Sequence, residues 1–363
     1  MPFTTHPEFN ANTEALEVAK AFADGIRGKT VIVTGVNRGG IGFTTAQAFA
    51  SQSPANLILT GRNPAKVQES IDALKAEYPG VNYRSLKIDL SSQKAVRAAA
   101  AEVLAWSDIP AVDILVNSAG VMGIQERTLS EDGIEMHFAT NHIGHWLFTC
   151  LIAPKLIAAA AAQRGPKGAT RVVNVSSGSP YVTRMRWSDR NFEKRNGDLP
   201  ALEQPPYDFL RAWGFEDLEN QSYNPVEAYS QSKVANVLAG VGATRRLLDS
   251  HGILSLALHP GVIKTELGRS FPEVTLSAIK TLADAGNITY KTQGAGASTS
   301  LVAALDPGLA VGVGETKDGK ENYGAFLENC QISEQCLPET VSNAEAEKLW
   351  KLSEELVHES FSW

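Results

Sequence analysis

Cysteine is scarce in this chain, with only Cys150, Cys330 and Cys336 among 363 residues. An odd number at these spacings matches neither a disulfide framework nor a zinc site, so reduced structural thiols in a reducing compartment are expected. Nothing around His142, His145 and His259 completes a metal-site pattern, and no metal is expected. Excess positive charge is missing too: the formal net charge is -7. A general nucleic-acid surface needs clustered Lys and Arg, so a small-molecule partner fits better. The first thirty residues carry Glu8, Glu14, Glu17 and Asp24 and no apolar block, from which neither a signal peptide nor a membrane anchor is expected, and a cytoplasmic location is. The longest apolar stretch, 143–162, is interrupted by His145, Pro154 and Lys155 and reads as a buried helix.

What is present is an ordinary globular composition, 43% hydrophobic and 20% charged, with one strong pattern. Short apolar runs at 30–34, 56–60, 82–88, 112–116, 171–175 and 254–258, with a weaker one at 323–327, alternate with helical runs at 41–51, 64–78, 92–106, 131–162 and 226–250. That alternation is the mark of a parallel sheet wrapped by helices on both faces. The expected fold is therefore α/β and doubly wound, a single domain over 1–363 with a mostly parallel sheet of about seven strands. Segments 1–29 and 322–363 read as terminal extensions, the first helical. Two segments break the rhythm, 178–225 and 266–290. Ligands of such sheets bind beyond the carboxyl ends of the strands, so these insertions are candidate substrate lids.

The run Thr30-Val-Ile-Val-Thr-Gly-Val-Asn-Arg-Gly-Gly-Ile-Gly42 is a strand, a glycine-rich turn and a helix start. Glycines there let backbone approach a pyrophosphate whose charge meets the helix N-terminus, which makes Gly35, Asn37, Arg38, Gly40, Ile41 and Gly42 candidate cofactor contacts. The second strand ends Leu59-Thr60-Gly61-Arg62, without the acid that would hold a free ribose 2'-hydroxyl. Arg62, with Arg38, suits a 2'-phosphate, and NADP(H) is the expected cofactor. Further on, Tyr229 and Lys233 are four residues apart in a helical run, so phenol and ammonium share one face. A nearby cation is expected to lower the phenol's pKa and fit it for proton transfer to a carbonyl oxygen, with Ser177 hydrogen-bonding the same oxygen.

In these motifs the sequence resembles the short-chain dehydrogenase/reductase family, close to its retinol-dehydrogenase-like branch, and the resemblance implies a Rossmann fold. The matching positions are Thr34-Gly35 through Gly42, Asp89-Leu90, Asn117-Ser118-Ala119-Gly120, Asn141, Ser176-Ser177, Tyr229 to Lys233, and Pro260-Gly261 through Thr265. The resemblance implies that Asp89 and Leu90 meet the adenine, that the turn with Asn117, Ala119 and Gly120 lines the cofactor and braces the fourth strand, and that Pro260, Gly261, Ile263 and Thr265 lie along it, Ile263 and Thr265 at the carboxamide. It also implies that Asn141 joins Ser177, Tyr229 and Lys233 by holding a water that relays protons, that Lys233 holds the nicotinamide ribose, and that a homodimer forms through the long helices near Asn141 and Tyr229. Of the two adjacent serines the pattern points to Ser177. One departure stands out: the glycine-rich turn is a residue longer than usual. The expected function is hydride transfer between NADP(H) and a carbonyl or alcohol carbon of a medium-sized apolar metabolite. Reduction of an activated carbon-carbon double bond and a non-catalytic cofactor-binding scaffold are the alternatives.

Overall fold

The computed structural model describes residues 1–162 and 165–363. After a short helix α1 (Ala15–Ala21), strands β1 (Thr30–Val33), β2 (Asn56–Gly61), β3 (Asn82–Lys87) and β4 (Ile114–Asn117) alternate with α2 (Ile41–Ala50), α3 (Pro64–Glu77) and α4 (Gln93–Ala105). Next come α5 (Gly144–Ala161) and β5 (Thr170–Val175), then an insertion carrying α6 (Tyr207–Ala212), the long α7 (Pro225–His251) and β6 (Ile253–His259). The remainder holds β7 (Val262–Ile263), α8 (Glu273–Asp284), β8 (Tyr290–Lys291), α9 (Gln293–Leu305), β9 (Phe326–Glu328), β10 (Gln331–Ile332) and α10 (Asn343–Val357).

The main sheet has eight strands in the order β10-β9-β6-β5-β4-β1-β2-β3, every neighbour parallel except the β9/β10 hairpin. The eighth strand is two residues long and follows Asn329 and Cys330, whose φ values of 53° and 64° make the reversal. Alternation along the strands divides the core in two. Ile32 and Leu115 join one face with α4, α5, α7 and α10, whereas Val31, Val33 and Val116 join the other with α1, α2 and α9.

Helix ends follow local chemistry. Asn224 caps α7 by accepting from Val226 N (2.9 Å) and Glu227 N (3.1 Å), Pro225 fills the first position, and Gly252 at φ 72° ends it. The helix expected over 131–162 starts later. Gly133 at φ 73° and a Leu129–Glu135 bridge hold the start as a tight turn, and the helix enters through a π-helical turn, Phe138–Ile143, ahead of α5. By length and composition Phe138–Ala161 could cross a membrane, yet 72% of its apolar window is buried inside the fold. Segment 1–29 is helical only in α1 and one short turn, and α8 fills about half of 266–290.

The pairing expected through the long helices meets an obstacle. α10 lies on α7 with Trp350 5.2 Å from Trp146 of α5, and no α7 residue from 225 to 243 is exposed. A partner would have to displace α10 from that face.

Gly144 tests the packing at the sheet's carboxyl edge. Its φ of -60° suits any helical residue, so alanine should gain about 1 kcal/mol from propensity. A Cβ there would instead come within 2.2 Å of Leu90 O. Gly144→Ala is therefore expected to lose about 1–3 kcal/mol in urea unfolding; a stabilised variant would refute the packing.

Candidate active site

The strand order reverses between β1 and β4, whose carboxyl ends open the crevice where a doubly wound sheet holds its ligand. Two glycines bring the walls together. Gly35, at φ 72°, lies so near β4's turn that a Cβ would sit 2.5 Å from Ala119 Cα, and one on Gly42 would sit 2.6 Å from Gly35 O. Thr34 Oγ1 accepts from Ser118 N (2.9 Å) and Ala119 N (3.0 Å) and donates to His145 Nε2 at 2.8 Å. His145 in turn donates from Nδ1 to Asn141 O (3.0 Å), a neutral tautomer that agrees with burial lowering its pKa to about 4.

The extra residue in the glycine-rich turn is absorbed at Gly39 (φ 84°), with Gly40 N donating to Asn37 O at 3.1 Å. Gln293 of α9 braces the turn through Gly39 O (2.8 Å), a contact the sequence did not announce. Gly40 supplies no side-chain cap to α2, so its first amides remain available to an anion. Arg38 and Arg62 stand exposed beside this turn, and neither makes a hydrogen bond or ion pair among the described residues. The residue between Thr60 and Arg62 is glycine for a packing reason too: a Cβ there would meet Val67 at 2.9 Å. These features fit a nicotinamide dinucleotide with an added phosphate.

The other predicted contacts divide. Gly120 is exposed and Ile263 and Thr265 are partly open, with Ile263 lying close over Gly296 of α9. Asp89 accepts from Ser91 N (3.0 Å) and Ser91 Oγ (2.7 Å), while Leu90 and Pro260 are buried and Gly261 turns at φ 89°. Asn117 takes the bracing part of the role implied for its turn. Its amide donates to Thr149 Oγ1 (3.2 Å) and Asn174 Oδ1 (3.0 Å) inside the sheet, so its side chain braces β4 against β5.

β5 and α7 meet at the centre of the site. Ser176 Oγ donates to Lys233 O (2.7 Å), and Lys233 Nζ donates to Val175 O (2.9 Å). Ser176 is thus a structural tie. Ser177 is the half-open serine: its oxygen accepts from Ser179 N (3.1 Å) and lies 2.7 Å from Ser179 Oγ. If Ser179 donates both bonds, the Ser177 proton is free to point at a ligand. Asn141 Oδ1 accepts from Val121 N (2.8 Å), and its amide donates to Val121 O (3.0 Å) and Ser232 Oγ (2.9 Å). Both amide protons are spent, so the carboxamide is chiefly a brace, with one Oδ1 lone pair left on the side of Gly120 where Lys233 Nζ also lies. His137, unforeseen from sequence, sets its ring edge-on to Tyr229 at 6.4 Å and hydrogen-bonds Glu135 at 2.8 Å.

Burial dominates the electrostatics. It raises the Tyr229 phenol well above its usual value, opposed by the Ser177 hydroxyl, and lowers Lys233 to about 7. The expected lowering of the phenol by the cation is not what prevails in the chain alone, because both groups are dry and the ammonium is 5.5 Å from the ring centre. Among the described residues no cluster of three or more His, Cys, Asp or Glu could hold a metal.

The two insertions meet over this crevice. The first half of 178–225 is built on buried Arg186, which donates to Asp189 Oδ2 (2.6 Å) and Asn196 Oδ1 (2.5 Å) and is docked to α7 through Gln231. The second half sets Trp213 6.0 Å from Phe271, which lies against Gly123 in the loop after β4. Tyr223 OH closes the same wall by donating to Ile124 O at 2.7 Å.

Comparison with known proteins agrees with this arrangement. The family model described as short chain dehydrogenase matches residues 29–188. The chain is 38% identical over 253 residues to "Oxidoreductase fscI" of Fusarium equiseti, covering 70% of this chain and 94% of that one. It is 31% identical over 350 residues to human "Retinol dehydrogenase 12", covering 94% and 93%. An uncharacterized protein from Mycobacterium paratuberculosis shares the fold at a TM-score of 0.58 and 24% identity, over 93% of this chain and 96% of that chain. The chain is an oxidoreductase of the short-chain dehydrogenase/reductase family, in its retinol-dehydrogenase-like branch.

Proposed function

We propose that this chain is an NADP(H)-dependent reductase of ketones or aldehydes, or the corresponding alcohol dehydrogenase, acting on a medium-sized apolar metabolite. The observation that carries the reading is the meeting of Ser177, Tyr229 and Lys233 at the carboxyl ends of β5 and β6, beside a crevice whose two unpaired guanidiniums face no acid. Gly40 to Gly42 would hold the pyrophosphate and Arg62 with Arg38 the 2'-phosphate. When bound, the nicotinamide supplies or accepts the hydride.

The chain's own residues handle the proton. Tyr229, kept protonated by burial, gives its proton to the substrate oxygen in reduction, and Ser177 hydrogen-bonds the same oxygen. The Lys233 ammonium has two protons beyond the bond to Val175 O, one set for the ribose and one that steadies the developing phenolate. Asn141 holds the Val121 backbone and the α7 turn at Ser232 so that these groups stay in register. Trp213 and Phe271 cover the substrate and exclude water, which strengthens the hydrogen bonds to its oxygen.

Tyr229→Phe deletes only the transferable proton. It is expected to lower kcat by about 10²–10⁴-fold with the NADPH dissociation constant nearly unchanged; near-normal turnover would remove Tyr229 from the mechanism. Arg62→Ala should weaken NADPH binding about tenfold and leave NADH binding alone, since only the phosphate partner is lost; equal losses for both cofactors would contradict the assignment. The sign of the pH effect follows from Lys233. Its charge is present below about 7 and lost above, while Tyr229 stays protonated, so kcat/KM for NADPH should be level below that pH and fall as pH rises through it. A profile level to pH ~9 would contradict it, since Lys233 would then be keeping its ammonium up to nearly its unperturbed pKa of about 10.4.

A further inference from the structure

α10 reaches the back of the catalytic turn. His142, next to Asn141 in the π-helical turn, is fully buried, and its Nε2 lies 2.9 Å from Ser353 Oγ on α10. Ser353 Oγ donates to Leu349 O (2.8 Å), so it accepts from His142 Nε2–H. Trp146, one turn on, is held at 5.2 Å by Trp350 and at 5.5 Å by Phe361 beyond the end of α10. Behind the turn lies a cavity of about 20 Å³ lined by His142, His145, Trp146 and Trp350 among others. Packing alone therefore leaves the turn room to shift, and directional bonds must fix it: His145 from the Thr34 side and His142 from the α10 side. A π turn is a rare register found mostly at functional sites, and here it carries the brace that sets Val121 and Ser232.

We propose that α10 is a positioning element for the active site, with the Ser353–His142 hydrogen bond fixing the π turn that presents Asn141. The kinetic part rests on the reductase reading above. Ser353 touches neither the crevice nor Tyr229, so it acts through the turn. Losing its hydroxyl frees the imidazole and lets the turn drift toward the cavity, which misplaces Asn141 and the wall it holds.

The test compares the full-length wild type with Ser353→Ala, Ser353→Thr and Gln93→Ala. Gln93 Nε2 donates to Leu356 O (2.9 Å), so its loss loosens α10 at a point away from the turn. Amide hydrogen exchange over 138–143 should quicken in Ser353→Ala, stay slow in Gln93→Ala and be restored in Ser353→Thr; this readout needs no turnover. With an active carbonyl substrate, Ser353→Ala should lower kcat about tenfold with KM for NADPH unchanged, and Gln93→Ala should not. Unchanged exchange over 138–143 in a folded Ser353→Ala overturns the proposal, as does equal quickening in Gln93→Ala. Should Ser353→Ala not fold, the same exchange and kcat comparison is made with His142→Phe, where unaltered values overturn it. A wild type inert toward every carbonyl would overturn the reductase reading alone.

Discussion

The structure depends on the seam between β5 and α7. Val175 O accepts from Lys233 Nζ, Asn236 donates to the same oxygen at 3.2 Å, and Ser176 Oγ holds the Lys233 carbonyl. These bonds fix a 27-residue helix against the carboxyl end of a buried strand. Without them Tyr229 would have no fixed relation to Ser177, and the insertion that joins strand to helix would have no frame. The seam also explains why an ammonium is kept where burial opposes it. Lys233 sits dry, with its charge disfavoured down to about neutral pH, and a structural role alone would be served better by an apolar residue of similar size. A bound anionic or hydroxyl-rich ligand would offset that cost.

Around the seam, polar groups are linked in a continuous series. Thr34 joins β1 to the turn after β4, His145 carries the connection to the backbone of Asn141, and Asn117 with Asn174 locks the three central strands. Burial makes each bond in such a network count, and Asn117 Oδ1 is the member left without a partner. Two insertions then close the top. In their aromatic contact Trp213 is half-buried over the buried Phe271, which suits a cover that meets an apolar ligand.

Much of this was legible in the sequence, for physical reasons that differ by element. Strands β1, β2, β4, β5 and β6 could be read because burial on both faces makes them largely apolar runs, whereas the edge strand β3 is mostly open and polar. Helices α3 and α7 could be read because Asn-Pro marks their starts. α9 was hidden, since Gly294, Gly296 and a run of Ser and Thr carry no helical signal until they pack against α1 and α2. The π turn was hidden as well, because nothing local distinguishes it from the helix it opens. Within the site, spacing located Tyr229 and Lys233, while the roles of Ser176, Ser179, His137 and His142 come only from what folding places beside them. For Asn117 the resemblance implied a brace for β4 but not its partners. Its side chain turns into the sheet, a choice set by Thr149 and Asn174, far away in sequence.

The reaction proposed for this crevice is hydride transfer to a carbonyl carbon. It is tested most directly by incubating the intact chain with NADPH or NADH and a panel of apolar ketones, aldehydes and enones, following cofactor oxidation and identifying each product. The account predicts that alcohol forms in step with NADPH consumed, with NADH much slower. Saturated ketones formed from the enones, or no oxidation of either cofactor with any compound, would contradict it.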